Sequence, residues 1–483
     1  MAKRKMSTFE RLSKGEMNRK QRRELGRKVA ADDPGLTVEN PNAGGIDVGN
    51  ESHFVAVPPD RDADPVREFG CWTEALVQMA EWLTACGVDT VAMQATGVYW
   101  IGMYDILEQH DIRVVLVNAQ HTKNVPGRKS DVQECQWLRK LHTYGLVRDS
   151  FRLPEQIESV RTIWRLRSRL VQEAAGSIQH MQKALTKMNI QLANVISDIS
   201  GVSGQAIIAG ILQGERDLYQ LADRKDYRVR ASREEIARSL EGNYREEVLF
   251  ELQQAVDSYH FTHRQMQECD RKLEGYLAQL PTRLLEAPAQ PEDVAADPAK
   301  KKMKKEARKA RGNEPRLDMK AELKRICGVD LTSIDGISVM TAQTILAEVG
   351  ADLSGFQNEH HFSSWLGLTP SKDISGGRTV RRGKKKVKNR LAGALRMAAT
   401  SLLESDSYLG ARYRYLRRRL PTHKSAVKAM AHYLARLVYR MLTKGEAWVD
   451  RGAAQFERRS RERELASLTA RARANGFQLI PLA

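Results

Sequence analysis

The chain has 483 residues, with 78 Lys and Arg against 60 Asp and Glu, a formal charge of +18 and a pI near 9.7. That length exceeds one ordinary core and predicts two to four folded units, and a basic excess gathered into runs points to a polyanion such as nucleic acid. Five scattered cysteines without a CxxC pair argue against a disulfide framework or a zinc site. A basic, polar N-terminus and the lack of a membrane-length apolar run predict a protein of the reducing cytoplasm.

Residues 1–43 are Lys- and Arg-rich without apolar period and read as a disordered basic arm. Over 44–150, "GGIDVG", "SHFVAVP" and "VREFGCW" read as three strands, followed by the helical "EALVQMAEWLTACG". The strand "TVAMQA", the helix "GVYWIGMYDILEQH", the strand "RVVLVNA" and a helix beginning at Asp131 come next. Three strands and then alternating helices and strands predict an α/β domain with a mixed sheet, compatible with an RNase H-like fold. Over 151–281, apolar residues recur in steps of three and four from Val171 to Val195 and from Leu252 to Leu280. These are heptad seams of a long helical module, and pairing within one subunit or between subunits satisfies them equally. Residues 282–322 form a basic linker, and 323–447 read as a mainly helical domain. There "LTSIDGISVMTAQTILAEVG" resembles a helix-hairpin-helix able to hold a backbone phosphate. Residues 448–483 are a charged tail.

Two places carry chemistry. Asp47 lies mid-strand in "GGIDVGN", and a buried acid there needs a partner, for which a cation is the obvious choice. Asp131 and Glu134, at i and i+3, share a helix face and converge with Asp47 if their helix crosses that strand. Hard oxygen donors suit Mg²⁺, and a pair of such ions stabilises attacking and leaving oxygens in phosphoryl transfer. The same two acids also serve as a first-turn complement to the helix macrodipole, and spacing alone leaves both readings level. The second place is "DISGG", where two glycines after Ser375 let a phosphate approach the backbone. Arg378, Arg381, Arg382, Lys384, Lys385 and Lys386 would neutralise it. Arg128 and Lys129 add basic charge just before Asp131. Tyr99, Trp100 and Trp137 read as core aromatics and His142 as a structural helix residue.

The order "GIDVG", "MQATGVYW", "NVPGRKSDVQECQWLRKLHTYGL", "LTSIDGISVMTAQTILAEVG" and "GLTPSKDISGG" resembles the IS110-family transposases, its "NVPGRK…LHTYGL" wording their IS1111 group. The resemblance spans about residues 44 to 445. It implies a RuvC-like domain with a DEDD tetrad, a coiled-coil middle and a C-terminal domain with an essential serine. By motif, Asp47 and Asp131 match the first and third acids and Ser375 the serine. Glu134 stands where the family usually has Asp, and Gln94 where many members have Glu, so that position brings a coordinating oxygen but no charge. Also implied are one or two Mg²⁺ ions, element-end and target DNA, a structured noncoding guide RNA and dimers assembling into a tetramer. The activity expected is a serine recombinase that cuts and rejoins DNA, with a hydrolytic RuvC-like nuclease or resolvase and a noncatalytic nucleic-acid-binding relative as alternatives.

Overall fold

The computed structural model describes Gln21, Glu24, Leu25, Val29 and residues 35–95, 97–117, 130–147, 149–285, 314–315, 318–375, 378–383, 389–446 and 448–480, with 371–375 and 378–383 described by backbone alone. The chain divides into two compact units, one of residues 1–152 with 371–384, the other of 153–370 with 385–483. Most of the basic arm and linker, together with Arg128, Lys129 and Lys384 to Lys386, lies outside the described residues.

The first unit holds β1 (Ala43–Val48), β2 (Ser52–Ala56), β3 (Val66–Gly70), α1 (Thr73–Ala85), β4 (Thr90–Gln94), α2 (Trp100–Gln109), β5 (Arg113–Val117) and α3 (Asp131–Thr143). All five strands read from the sequence are present, in the order β3-β2-β1-β4-β5. The β1–β2 and β2–β3 pairs are antiparallel, and β1–β4 and β4–β5 are parallel. Period-two alternation gives the sheet two buried faces. Ile46, Val48, Val91 and Met93 join Leu76, Met79, Leu83, Met103 and Leu107 of α1 and α2. Ala92, Val115 and Val117 meet Leu138 of α3 on the opposite face. The result is a mixed α/β sheet covered by helices on both sides.

Gly45 explains how α3 comes so close to β1. A Cβ there would overlap the Cys135 carbonyl and the Arg139 amide, so only glycine admits the helix backbone. At its far end α3 is tied to β4, where His142 Nε2 and Thr90 Oγ1 lie 2.8 Å apart. His142 is buried, as a structural histidine should be, and desolvation drives its pKa down to about 4.

The second unit opens with α4 (Glu155–Lys187), α5 (Leu192–Val195), α6 (Val202–Leu212), α7 (Leu218–Ala222), α8 (Arg233–Ser239) and α9 (Glu246–Gln279). The long helices α4 and α9 run antiparallel within one chain: Lys187 bonds Glu251 at 2.7 Å, Ser177 bonds Ser258 at 3.2 Å, and Arg167 pairs with Asp270. The first seam stops at Met188, because Asn189 takes a φ of +61° and turns the chain. Leu192 and Val195 therefore belong to α5. The connection between the arms is itself structured: Leu221, Ala222, Ile236 and Leu240 of α7, α8 and the residue after α8 share a core with Leu185, Leu252 and Val256.

The remainder comprises α10 (Met319–Cys327), α11 (Val339–Val349), α12 (Glu359–Trp365), α13 (Arg390–Ser401), α14 (Tyr408–Arg419), α15 (His423–Lys444) and α16 (Ala453–Ala474). Between α12 and α13 stands an antiparallel hairpin of β6 (Ser371–Ser375) and β7 (Arg378–Gly383), part of the first compact unit. The Asp-Gly turn does join two helices, α10 and α11. Its Gly336 has φ +86°, and a Cβ there would press on the Ala398 carbonyl of α13. Ser338 then caps α11 by accepting the Thr341 amide at 3.2 Å. Among the described residues no helix is long and apolar enough to cross a membrane.

Candidate active site

Asp47 and Gln94 share the sheet face that α3 covers. They stand one position beyond the paired residues Ile46 and Met93 on adjacent parallel strands. Gln94 is buried and donates through Nε2 to Glu134 Oε2 at 3.0 Å. This bond and the His142–Thr90 contact fasten α3 antiparallel to β4 at both ends, about 12 Å of helix against about 13 Å of strand. The acids of the first helical turn are thereby set beside the C-terminal end of β1.

An open pocket of about 360 Å³ lies there, lined by Asp47, Asn50, Glu51, Ser52, Phe54 and Asp131 among others. The helix does cross the Asp47 strand, and Asp47 and Asp131 meet on one pocket. Glu134 turns instead toward Gln94. The helix-terminus reading holds as well, since Asp131 and Glu134 occupy the first turn of α3 after the Ser130 cap, with Lys140 in the last. The negative charge of Asp47 reaches the buried Cys135 thiol, whose pKa is pushed up to about 12, chiefly by desolvation with Asp47 adding to it.

Glu51 was not singled out from the sequence. The tight β1–β2 turn, where a Cβ on Gly49 would strike the Ser52 carbonyl, folds Glu51 back to the pocket that Asp47 lines. An acid four residues after a strand acid, across a glycine turn, was the available signal. All polar donors of the pocket are oxygens or amides, the set that a hard divalent cation accepts. Among the described residues no three His, Cys, Asp or Glu side chains are grouped closely enough to hold one metal. Mg²⁺ tolerates that, since it binds through one or two carboxylates and keeps several waters.

Trp137 is buried as expected, and Trp100 packs edge-on against Tyr104 at 5.9 Å. Tyr99 departs from the core expectation, being 48% exposed, with Val98 and Ile101 also open at the start of α2. On the hairpin, β6 ends at Ser375 opposite Arg378, and Asp373 and Lys372 face Arg381 and Arg382 across the ladder.

Two family models match the chain. A transposase model, the DEDD domain of IS110 elements, covers residues 44–190, and the transposase IS116/IS110/IS902 family covers residues 330–414. The chain is an IS110-family transposase. The first match contains Asp47, Gln94, Asp131 and Glu134, and the second contains Ser375. A search of curated proteins found no match. DEDD transposase domains use divalent metal ions, and the transposase acts on DNA.

Proposed function

We propose that this transposase cuts and rejoins insertion-sequence DNA through a serine-linked intermediate, with Asp47 and Asp131 holding Mg²⁺, Glu134 joining them when its bond to Gln94 opens, and a structured noncoding RNA choosing the sites. The observation that carries the reading is the pocket shared by Asp47 and Asp131, at the crossing of β1 and α3. The strand order supports an RNase H-like assignment for the sheet. Glu51 lines the same pocket and adds carboxylate charge there, where Gln94 brings none. Bound Mg²⁺ would supply charge stabilisation for the attacking and leaving oxygens.

The chain's own residues carry the rest. The Ser375 oxygen attacks a DNA phosphorus, forming a serine O–P bond as the bond from phosphorus to the departing sugar oxygen breaks. The hydroxyl proton goes to solvent, and the sugar oxygen leaves protonated as a free DNA end. Arg378, Arg381 and Arg382 on the opposite strand of the hairpin supply guanidinium charge for the phosphate. A later attack by a second DNA end on the phosphoserine reverses the covalent step and restores Ser375. RNA guidance accords with a basic protein that lacks a helix-turn-helix or zinc-finger reader in its sequence, since base pairing then selects the sequence. A site assembled from several subunits, as in a dimer or tetramer, belongs to the same proposal.

The test incubates the full-length transposase with Mg²⁺, transcripts from the flanks of its gene and DNA spanning the element's end junction. An adduct that survives denaturation and needs Mg²⁺, RNA, Asp47 and Ser375 is the expected result. Cleavage without an adduct, retained in Ser375→Ala, would identify a hydrolytic nuclease instead. The Gln94–Glu134 bond satisfies a carboxylate without any cation, which favours the noncatalytic alternative to that extent. Binding without cleavage by the parent, alongside cutting by Gln94→Glu, is the outcome that reading requires.

A further inference from the structure

The packing of α14 against α16 is centred on aromatic rings: Phe456 meets Tyr408 at 5.2 Å and Tyr415 at 5.9 Å, both edge-on. Beside them opens a cleft of about 910 Å³, with Arg414, Arg417, Arg418 and Arg419 on one wall and Arg461 on the other. Glu457 and Glu464 also line it, leaving the cleft net positive. The two helices together contain eleven arginines and no lysine. A merely solvated helix face has no reason to exclude lysine. The planar guanidinium fork, by contrast, matches phosphate in a way an ammonium does not.

Two of the five arginines that line the cleft have structural work. Arg414 donates to the Leu403 and Ser405 carbonyls at 3.1 and 2.8 Å, and Arg419 lies 3.4 Å from the Tyr415 hydroxyl. Arg417, Arg418 and Arg461 are exposed and make no ion pair or hydrogen bond among the described residues. The segment matched by the second family model ends at Arg414, so these three lie outside both matches. Complementing the negative end of α14 would account for one or two of them but not for Arg461, which is on the other helix.

We infer that the cleft between α14 and α16 grips the phosphodiester backbone of the transposase's duplex DNA. Arg417, Arg418 and Arg461 bind phosphate oxygens from two walls, which the packing of Phe456 on Tyr408 and Tyr415 joins at one side of the cleft. Contacts of this kind position DNA without reading its sequence, so the cleft adds affinity to whatever selects the site. A backbone ridge of a duplex, carrying phosphates at regular spacing, is the occupant that a positive cleft with two arginine walls complements.

The experiment uses the full-length transposase in EDTA, so that binding is read without cleavage and independently of the acidic site. Affinity for a duplex of about 40 base pairs is measured across a salt series for the parent and for Arg417→Gln/Arg418→Gln/Arg461→Gln. Each lost phosphate contact lowers the slope of log affinity against log salt by about 0.9, so the triple variant should lose about 2 to 3 in slope. Glu457→Gln/Glu464→Gln should bind the duplex more tightly, a gain that a purely structural role would not produce. An unchanged slope in the triple variant overturns the inference, as does a loss confined to a structured RNA of the same length. Should the triple variant fail to fold, the glutamate variant decides, since unchanged or weaker duplex binding there overturns it equally.

Discussion

Gln94 is the residue on which the state of the acidic site turns. Its amide hydrogen donates to Glu134 at 3.0 Å, holding the carboxylate without a cation. A glutamate at that place would set two carboxylates against each other, a repulsion that a divalent ion relieves. Gln94→Glu should therefore melt at a lower temperature in EDTA, by an amount corresponding to about 1.5 to 3 kcal/mol, the range for a hydrogen bond to a charged group. Saturating Mg²⁺ should raise its melting temperature more than the parent's. Thermal melts in the two buffers check this, and equal Mg²⁺ responses would count against a cation beside Glu134. The glutamine itself was legible in "MQATG". Its partner was not, because the forty residues between Gln94 and Glu134 are bridged only when α3 folds onto β4. Glu51 escaped for a related reason: an acid in a turn is ordinarily solvated, and only the fold of the β1–β2 turn brings it to the pocket.

Helices of the second unit are locked by charge where they cross. Glu359, at the start of α12, accepts from Arg440 at 2.5 Å and from Arg436 at 2.8 Å, two arginines one turn apart on α15. Those hydrogen bonds, Arg440's first, hold the Glu359 carboxyl down at about 2 against their desolvation cost. A carboxylate whose folded pKa lies below its ordinary 4.5 contributes stability that is complete above that value and is lost as pH falls from 4.5 toward 2. Glu359→Gln should lose on the order of 2 to 3 kcal/mol at pH 7. Its stability should also fall less steeply than the parent's across that acid window. Denaturant titrations at pH 7, 4.5 and 3 would measure both effects, and parallel pH dependences in the two proteins would exclude the ion pair as the cause. The apolar faces of the long helices in this unit followed from spacing, but the end of the first seam and the helix Ala453–Ala474 within the charged tail did not, and the arginine pair was indistinguishable in sequence from the many solvated arginines around it.

At the scale of the molecule, the heptad seams of α4 and α9 are engaged with each other. The half-hidden ion pair between Arg167, 2% exposed, and Asp270, 16% exposed, sits between the two long helices of a single chain. Removing Asp270 strands a buried guanidinium, so Asp270→Ala should cost about 3 to 5 kcal/mol. Because the pair is intramolecular, that loss should be the same at every protein concentration. A penalty that shrinks as concentration rises would show instead that these seams join different subunits. If the transposase is a dimer or tetramer, surfaces other than the Arg167–Asp270 crossing must supply the contacts.

The five strands, their helices and the long helical arms were determined by local pattern, whereas spacing left two readings of Asp131 level and the family resemblance chose between them. Period-two and period-3.6 spacing reports which face of an element must be buried, and glycine turns report where the chain reverses. Ser375 was identified by resemblance, and the matched family segment contains it. Which element each buried face meets is a property of long-range packing, which no window of sequence contains. The close approach of α3 over Gly45, the turning of Glu134 to Gln94, the choice of α9 as the partner of α4, and the arrival of Arg461 opposite Arg417 and Arg418 were decided there. In each case residues tens of positions apart come together only after the intervening core has formed.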